Sequence, residues 1–480
     1  MLFNSIDFVV FFLIVFSLYW FVLNRKMKFQ NFMLVIASYF FYCCWDWRFG
    51  FLLAFSTLLD FYSGLAIFRS TTKKMKKIWL IISVGINLGF LCFFKYYNFF
   101  IESFGELLSN FGVQANYSTL SIILPVGISF YTFHGLSYVF DIYNDKITPT
   151  TNIINYTLFV SFFPLLVAGP IERATHLLPQ IERPRQFDYS KAIDGLKQIL
   201  WGFFKKVVIA DNCAQFANLI FDNYESQSGS TLFLGALFFT FQIYGDFSGY
   251  TDIALGTARL MGFELLKNFN YPYFSRDIAE FWRRWHISLS TWFKDYLYIP
   301  LGGSRGGLWM KIRNTFIIFI VSGFWHGSNW TFIAWGTLNA VYFLPLLLTN
   351  NNRNNLEIVA IDRNLPTFRD FTGILITFML TVFAWIFFRA ESVQDAIGYI
   401  SMIFSNSLFT YPVIIGESKY IILLVIAFII IEWAGRRGNY GLQLVFSRSH
   451  QIIRWSFYIV ILLFVFFFSG EQQEFIYFQF

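Results

Sequence analysis

The stretch from Asn314 to Leu348 is almost entirely apolar, and the run Ser322-Gly323-Phe324-Trp325-His326-Gly327-Ser328-Asn329-Trp330 lies in its middle. Apolar segments of about 20 residues are long enough to cross the hydrocarbon core of a bilayer. An ionisable side chain at that depth costs free energy, so its presence indicates a function. A neutral imidazole can accept a proton, as a general base acting on a hydroxyl must. His326 is therefore the first candidate catalytic residue.

The composition of the whole chain agrees with that of an integral membrane protein. Its 480 residues are 56% hydrophobic and 14% charged, whereas a soluble domain carries roughly 25% charged residues. Long apolar runs also extend from Phe8 to Val22 and from Ile452 to Ser469. We predict an all-α polytopic membrane protein with about eleven transmembrane helices plus re-entrant and interfacial helices. It is expected to form a single integral-membrane domain over residues 1–480.

The net charge of +7 at pH 7 reflects basic residues in short connecting loops, so no nucleic-acid partner is expected. The basic loops 24–28 and 69–77 are predicted to be cytoplasmic, which places the N-terminus outside. Arg454 lies at the start of the last apolar run and Glu471 and Glu474 follow it, so the C-terminus is also expected outside. The four cysteines match neither a disulfide framework nor a zinc spacing, and no metal is indicated.

Several of the predicted helices are interrupted. Two crossings fit between the two basic loops, with a break at Trp45 to Arg48, and a later crossing is expected from Thr119 to Tyr143. The segment from Ile153 to Ile171 contains Pro164 and the pair Gly169-Pro170. Broken helices at membrane depth are tolerated where they line a cavity within the protein. This segment is therefore predicted to be re-entrant.

A second polar cluster lies in another apolar segment. The run Phe241-Gln242-Ile243-Tyr244-Gly245-Asp246-Phe247-Ser248-Gly249-Tyr250-Thr251-Asp252 carries two carboxylates that cannot face lipid cheaply. They can form a buried, hydrogen-bonded cluster that holds helices together. They can equally contact a substrate, and both interpretations stay open. Under the second, Asp246, Tyr250 and Asp252 are candidate substrate-binding residues.

The run from Glu280 to Tyr296 places aromatic residues beside basic ones. Trp282, Trp285, Leu289, Trp292 and Phe293 recur at helical spacing there. This pattern is typical of an interfacial helix on the cytoplasmic side of a membrane. An anchor with arginines that reach the interface explains most of the pattern, but it does not explain His286. We expect His286 to line a polar entrance.

The loop Gly302-Gly303-Ser304-Arg305-Gly306-Gly307 is rich in glycine, but it lacks the Gly-Lys-Ser/Thr ending of a phosphate loop. It is more typical of a flexible turn. Arg305, together with Lys311 and Arg313, is nevertheless placed to meet phosphate groups from the cytoplasm.

Several motifs follow one another in a recognisable order. They are Asp246-Phe247-Ser248-Gly249-Tyr250-Thr251-Asp252, Asn268-Phe269-Asn270-Tyr271-Pro272-Tyr273, Phe281 through Ile299-Pro300-Leu301-Gly302-Gly303, and Trp325-His326-Gly327. Gly127-Ile128-Ser129-Phe130-Tyr131-Thr132-Phe133 and Gly169-Pro170-Ile171-Glu172-Arg173 fit the same pattern, which covers about residues 120–345. In this order the motifs resemble those of the membrane-bound O-acyltransferases (MBOAT), and most closely the bacterial alginate-type polysaccharide O-acetyltransferases.

The resemblance implies an MBOAT fold with a central tunnel in the bacterial cytoplasmic membrane. His326 matches the catalytic histidine of the family, and His286 matches its second recurrent histidine. The implied donor is acetyl-coenzyme A from the cytoplasm, and the implied acceptor is an extracytoplasmic polysaccharide; no bound cofactor is expected. Candidate substrate-binding residues within the matching motifs or beside them are Arg284, Arg305, Trp325 and Asn329.

Residues 471–480 are predicted to form an extracytoplasmic tail that ends in Phe475-Ile476-Tyr477-Phe478-Gln479-Phe480. This end resembles the terminal Phe-x-Tyr-Phe motif of the small membrane peptide in the teichoic-acid D-alanylation system. The resemblance implies that Tyr477 carries the acyl group to a serine-hydrolase-like (SGNH) partner outside. A phenol with a pKa of about 10 is a better leaving group than an aliphatic hydroxyl, so its ester stays energised. An ordinary aromatic belt at the outer interface is the other interpretation.

Other functions remain open at this point. The same machinery can transfer D-alanine to a teichoic acid, or the glycan hydroxyl can attack the thioester directly. A transporter whose buried histidine relays protons belongs to a different class, as does a scaffold for a glycan export complex.

Overall fold

The computed structural model describes residues 1–113, 119–167, 169–412, 414–446, 449–469 and 473–476. Every regular element within these ranges is helical, which confirms the all-α prediction. The chain divides into two compact units. The first comprises Met1–Asp188 and Met261–Leu266, and the second comprises Tyr189–Leu260 and Lys267–Phe480. That the whole chain forms one integral-membrane domain stays a prediction.

The first unit is a bundle of helices. Its α-helices are α1 (Ile6–Ser17), α2 (Met27–Cys43), α3 (Trp47–Arg69), α4 (Lys73–Leu91), α5 (Tyr97–Asn110), α6 (Ile128–Tyr143), α7 (Ile153–Ser161), α8 (Phe163–Leu166) and α9 (Ala174–Ile181). The wider turn Leu18–Val22 extends α1, and Cys92–Tyr96 joins α4 to α5 in one helical stretch.

The second unit contains the candidate residues around His286 and His326. Its α-helices are α10 (Tyr189–Phe203), α11 (Asp211–Phe221), α12 (Gly229–Leu260), α13 (Ile278–Arg284), α14 (Ile287–Phe293), α15 (Gly307–His326), α16 (Trp330–Leu348), α17 (Phe368–Arg389), α18 (Val393–Ile403), α19 (Ile415–Gly435) and α20 (Gln451–Phe467). Wider turns at Phe204–Ala210 and Lys294–Tyr298 extend α10 and α14, and short 3₁₀ helices lie at Tyr224–Ser226, Pro272–Phe274 and Asn406–Phe409.

Four helical stretches of the described residues are long and apolar enough to cross a membrane. They are Trp47–Arg69, Lys73–Asn110, Trp330–Leu348 and Phe368–Arg389. Two shorter apolar helices lie at Ile6–Val22 and Gln451–Phe467. The number of crossings, the side on which each terminus lies and a central tunnel stay predictions.

The predicted interruptions in the first unit are confirmed, with one shift. The chain breaks between α2 and α3, where Asp46 Oδ1 accepts a hydrogen bond from the Arg48 N–H at 2.9 Å. It breaks again between α7 and α8, next to Pro164. The helix expected from Thr119 begins only at Ile128, because Gly127 adopts a left-handed conformation (φ 72°) that stops a helix from extending backwards. Whether α7 and α8 are re-entrant stays a prediction.

Helices α15 and α16 form the hairpin that contains His326. The three residues 327–329 connect them, so the two helices run antiparallel. Two glycines allow close packing: a Cβ on Gly323 would collide with the carbonyl oxygen of Phe332, and one on Gly336 with that of Phe319. Small residues of this kind let helix backbones approach each other inside membranes. The hairpin thus holds His326 rigidly at the C-terminal end of α15.

Candidate active site

His326 lies in an aromatic pocket. Its ring centroid is 4.9 Å from that of Trp325, 5.2 Å from that of Trp335 and 5.5 Å from that of Phe388. The residue is only 2% exposed. These rings come from both arms of the hairpin and from α17, so the imidazole is enclosed by side chains from separate helices.

His286 lies beside His326 in a strained backbone conformation. Its φ is 43°, in the left-handed region that non-glycine residues seldom adopt. Its Nδ1 is 3.0 Å from Oδ1 of Asn268, the oxygen to which the Ser288 hydroxyl also donates at 2.9 Å. An amide oxygen only accepts hydrogen bonds, so Nδ1 carries the proton and Nε2 is the basic nitrogen. Strained residues that the surroundings hold in place often lie at functional sites.

The ionisation of His286 follows from its surroundings. It lies in the break between α13 and α14, outside the four long apolar helices, and burial lowers its pKa to about 3. The imidazole is therefore neutral at physiological pH.

The two histidines form a pair. Their ring centroids are 6.3 Å apart, and Trp325 lies 6.0 Å from His286. His286 and the adjacent residues Trp325 and His326, which belong to two separate motifs of the sequence, are thus neighbours in the folded protein. The pairing supports their joint assignment to a reactive centre, while their chemical roles stay predictions.

The prediction of one interfacial helix through His286 is wrong. The chain forms two short helices, α13 and α14, with a break at Trp285 and His286. The break is held by the neighbouring segment: the Asn270 N–H donates to Arg284 O, and the Ile287 N–H donates to Asn268 O. The aromatic face that was expected at a membrane surface is buried within the unit, where Trp285 is 1% exposed and packs 4.9 Å from Trp385.

Arg284 is occupied by contacts within the protein. Its guanidinium pairs with Glu280 Oε1 at 2.8 Å and also donates to the carbonyl oxygens of Asn270 and Glu357. These bonds tie α13 to the loop that follows α16. A role for Arg284 in substrate binding stays a prediction.

The carboxylates of α12 form buried ion pairs. Asp246 Oδ1 is 2.8 Å from the Lys206 ammonium, and Asp252 Oδ2 is 2.6 Å from that of Lys205. Tyr250 is fully buried, with the Lys206 ammonium 5.4 Å from its ring centroid. The first interpretation, a buried polar cluster between helices, therefore accounts for the aspartates. The lysine partners were not predicted from the sequence, although two adjacent lysines inside an apolar segment were the available signal.

Two cavities lie at opposite ends of the α15–α16 hairpin. One, of about 500 Å³, lies beside the start of α15 and the end of α16. The other, of about 510 Å³, lies beside the turn between them. The first has basic and polar walls that include Ser290, Lys294, Tyr298, Lys311, Asn352 and Arg353. The second is lined in part by Asn218, Asp222, Asn329, Phe388, Arg389 and Glu391.

Two further residues predicted from the sequence lie at or near these cavities. Asn329 lines the second cavity and also caps α16, since its Oδ1 accepts from the Thr331 N–H at 3.0 Å. Arg305 is exposed, next to Ser304, which lines the first cavity. Neither His286 nor His326 is among the described residues that line the two cavities. The Phe388 ring separates the second cavity from His326. Tyr477 lies outside the described residues.

Comparison with known proteins identifies the family of the chain. The family model described as MBOAT, membrane-bound O-acyltransferase family, matches residues 145–359, which include both histidines. The chain is 41% identical to the protein named "Probable alginate O-acetylase AlgI" of Pseudomonas aeruginosa, over 82% of this chain and 73% of that protein. It is 36% identical to the "Peptidoglycan O-acetyltransferase" of Helicobacter pylori, over 83% of this chain and 78% of the relative.

A more distant similarity points to the same family. The chain is 29% identical to the "Teichoic acid D-alanyltransferase" of Bacillus subtilis over 48% of this chain and 60% of that protein. The alginate and peptidoglycan relatives match 82% and 83% of this chain, and the family model matches residues 145–359. The chain belongs to the membrane-bound O-acyltransferase family and is an acyltransferase enzyme.

Proposed function

We propose that this enzyme transfers an acetyl group from cytoplasmic acetyl-coenzyme A to an extracytoplasmic polysaccharide. The observation that carries the proposal is the pairing of His326 with His286 among buried aromatic rings. A polar cavity lies at each end of the hairpin that contains His326. The names of the relatives support an O-acetyltransferase that acts on a glycan. They leave the polymer open, since alginate and peptidoglycan both occur among them.

The first cavity is proposed as the donor site. Lys294, Lys311 and Arg353 line it together with hydroxyl and amide groups. Coenzyme A carries phosphates, and lysine and arginine side chains bind phosphate through charge-assisted hydrogen bonds. A cavity of about 500 Å³ falls within the range of small-molecule sites. Arg305, exposed next to Ser304, is close enough in the chain to add to the same positive charge.

The two histidines are proposed to act on the acceptor hydroxyl. As the hydroxyl oxygen attacks the thioester carbonyl, His326 takes its proton, a C–O bond forms and the C–S bond breaks. The proton then passes to the departing thiolate, which leaves as coenzyme A. General-base catalysis of this kind contributes roughly 10²- to 10⁴-fold. His286 is neutral and is fixed by its hydrogen bond to Asn268. Its proposed role is to form one wall of the pocket that receives the acceptor oxygen.

The acceptor is proposed to be the phenol of Tyr477. Acetylation at the phenol gives an aryl ester that remains reactive, because the pKa of a phenol is about 10. A serine-hydrolase-like (SGNH) partner on the outer side would then take the acetyl group and pass it to the glycan. Trp325 and Asn329, beside His326 and in the second cavity, would align the reacting groups.

The proposal is tested with the purified full-length protein in proteoliposomes and acetyl-coenzyme A labelled in the acetyl group. Intact-mass analysis of the C-terminal peptide should show one acetyl group on Tyr477, and Tyr477→Phe should lack it. Label on a glycan hydroxyl, with none on the peptide and with full activity of Tyr477→Phe, would establish direct attack instead.

The same preparation separates the remaining alternatives. Transfer of labelled D-alanine from a D-alanyl carrier protein, with no transfer from acetyl-coenzyme A, would favour teichoic-acid alanylation. Movement of protons or solute without acyl transfer would favour a transporter. Unchanged polymer modification in cells that carry His326→Gln would favour a scaffold.

A further inference from the structure

The segment 473–476 near the C-terminus is inserted into the second unit. Phe475 is fully buried and Ile476 is 1% exposed. The ring of Phe475 lies 4.5 Å from that of Tyr250 and 6.1 Å from that of Phe247, both on α12. These residues of the predicted extracytoplasmic tail pack against the polar stretch of α12.

A single ion pair holds both ends of this segment. The backbone N–H of Ile476 donates to Asp246 Oδ2 at 2.7 Å. The ammonium of Lys206 donates to the backbone carbonyl of Gln473 at 3.1 Å and pairs with Asp246 Oδ1 at 2.8 Å. Asp211 Oδ1 lies 2.7 Å from the same ammonium. The pair is buried, with both side chains at most 3% exposed.

These bonds fix the register of the segment in a way that apolar packing does not. Burial of Phe475 and Ile476 is favourable but non-directional, so it tolerates sliding of the chain. Hydrogen bonds to two defined backbone atoms do not tolerate it, because their strength falls steeply with misalignment. Charge-assisted bonds of this type are also about twice as strong as neutral ones.

The held segment is next to the histidine pair. Phe247 contacts Phe475 on one side and lies 4.7 Å from His286 on the other, ring centroid to ring centroid. One phenylalanine ring therefore separates the segment from His286. The next residue in the sequence after Ile476 is Tyr477.

We propose that Lys206 and Asp246 form a clamp that holds residues 473–476 in register beside the histidine pair, and that acylation of Tyr477 depends on this clamp. Both are positioning residues, since they act through the backbone of the segment. The proposal rests on the proposed function for the identity of the acyl carrier. It assigns the ion pair of α12 a function beyond helix association.

The clamp is tested in the full-length protein with Asp246→Asn and Asp246→Ala. Asparagine keeps an oxygen acceptor but loses the charge that pairs with Lys206, whereas alanine loses both. Asp252→Asn is the matched control, because Asp252 lies on the same helix and pairs with Lys205 and Gln198. Thermal unfolding in detergent identifies variants that retain the wild-type fold.

The first measurement is digestion with a carboxypeptidase, followed by intact mass. Removal of Ile476 and Phe475 should be at least tenfold faster in Asp246→Ala than in wild type, with Asp246→Asn in between and Asp252→Asn unchanged. The second measurement is acetylation of Tyr477: its maximal rate should fall at least tenfold in Asp246→Ala, while the KM for acetyl-coenzyme A stays the same.

The outcomes separate the clamp from the proposed function. Wild type without any acetyl group on Tyr477 would overturn the relay, and the digestion alone would then show whether the ion pair holds the segment. Equal digestion rates in folded wild type and Asp246→Ala would overturn the clamp. Faster digestion with an unchanged acetylation rate would overturn the dependence of Tyr477 acylation on the clamp.

Discussion

The rings of His286 and His326 lie 6.3 Å apart, centroid to centroid, although the two residues come from different segments of the chain. One ends a long helix and the other occupies the break between two short ones. The pairing requires a left-handed backbone at His286, held by Asn268. A conformation maintained at such a cost is more readily explained by chemistry than by packing alone.

Replacement of His326 tests its role as the base. His326→Gln should reduce acetyl transfer roughly 10²- to 10⁴-fold, since it removes the group that accepts the proton. Binding of acetyl-coenzyme A, measured by calorimetry on the same preparation, should be unchanged. His450→Gln is the control, because His450 is exposed and caps the last helix. Full activity of His326→Gln would contradict the assignment.

The buried His286 predicts a pH dependence of stability. Its pKa is about 3 in the folded protein because of burial, against about 6.5 for an exposed histidine. Between these values the unfolded chain binds a proton that the folded protein excludes, so the free energy of unfolding decreases as the pH falls below about 6.5. At pH 5 the decrease from this residue is about 2 kcal/mol.

Thermal unfolding in detergent measures this decrease. The melting temperature of the wild type should fall between pH 7 and pH 5, and that of His286→Gln should fall less. His450→Gln should follow the wild type. An identical fall in wild type and His286→Gln would show that protonation of this ring does not contribute.

The basic cavity predicts how the donor binds. Lys311→Gln should raise the Kd for acetyl-coenzyme A roughly tenfold, which corresponds to about 1.4 kcal/mol, and Arg353→Gln should act in the same direction. High salt should weaken binding to the wild type more than to the variants, because screening removes the same attraction. Lys419→Gln, an exposed lysine of α19, is the control. Unchanged Kd values in both variants would place the donor elsewhere.

The fold class could be predicted because apolar runs and their interruptions are local. Pro164 and the Trp45 to Arg48 break lie where the chain does break. The course of the chain at His286 could not be predicted, since the spacing of Trp282, Trp285 and Leu289 fits a continuous helix. The break depends on backbone bonds to Asn268 and Asn270, and sequence periodicity carries no information about such distant partners.

The candidate site, like the fold, could be predicted from the sequence only in part. His326, His286 and Trp325 were recognised as unusual residues in apolar surroundings and through motif order. The ion pairs of Lys205 and Lys206 depend on how α12 packs against the preceding helices, so only the presence of buried charge was visible. The cavities arise from packing between helices, and their lining residues have no pattern of their own in the sequence.

The position of Phe388 indicates that its ring keeps water out of the pocket around His326. Its ring lies between the second cavity and His326 and is 1% exposed. Phe388→Leu should admit water to the pocket and raise the hydrolysis of acetyl-coenzyme A without acceptor several-fold, because a base beside an open path can activate water. Phe409→Leu, at a residue 92% exposed, is the control. Unaltered hydrolysis in Phe388→Leu would show that another group closes the pocket.

The close packing of the hairpin predicts a sharp steric effect. In Gly336→Ala, the added methyl group collides with the carbonyl oxygen of Phe319, an atom that cannot move without distorting α15. Overpacking of this kind typically costs about 1–3 kcal/mol, and the shift of α15 should also displace His326. We expect a lower melting temperature and reduced acetyl transfer. Gly89→Ala is the matched control: it lies in α4, a Cβ there meets no atom within 4 Å, and alanine favours a helix over glycine by about 1 kcal/mol. Equal melting temperatures for the two variants would mean that the helices of the hairpin can separate without loss, and the rigid placement of His326 would then need another cause.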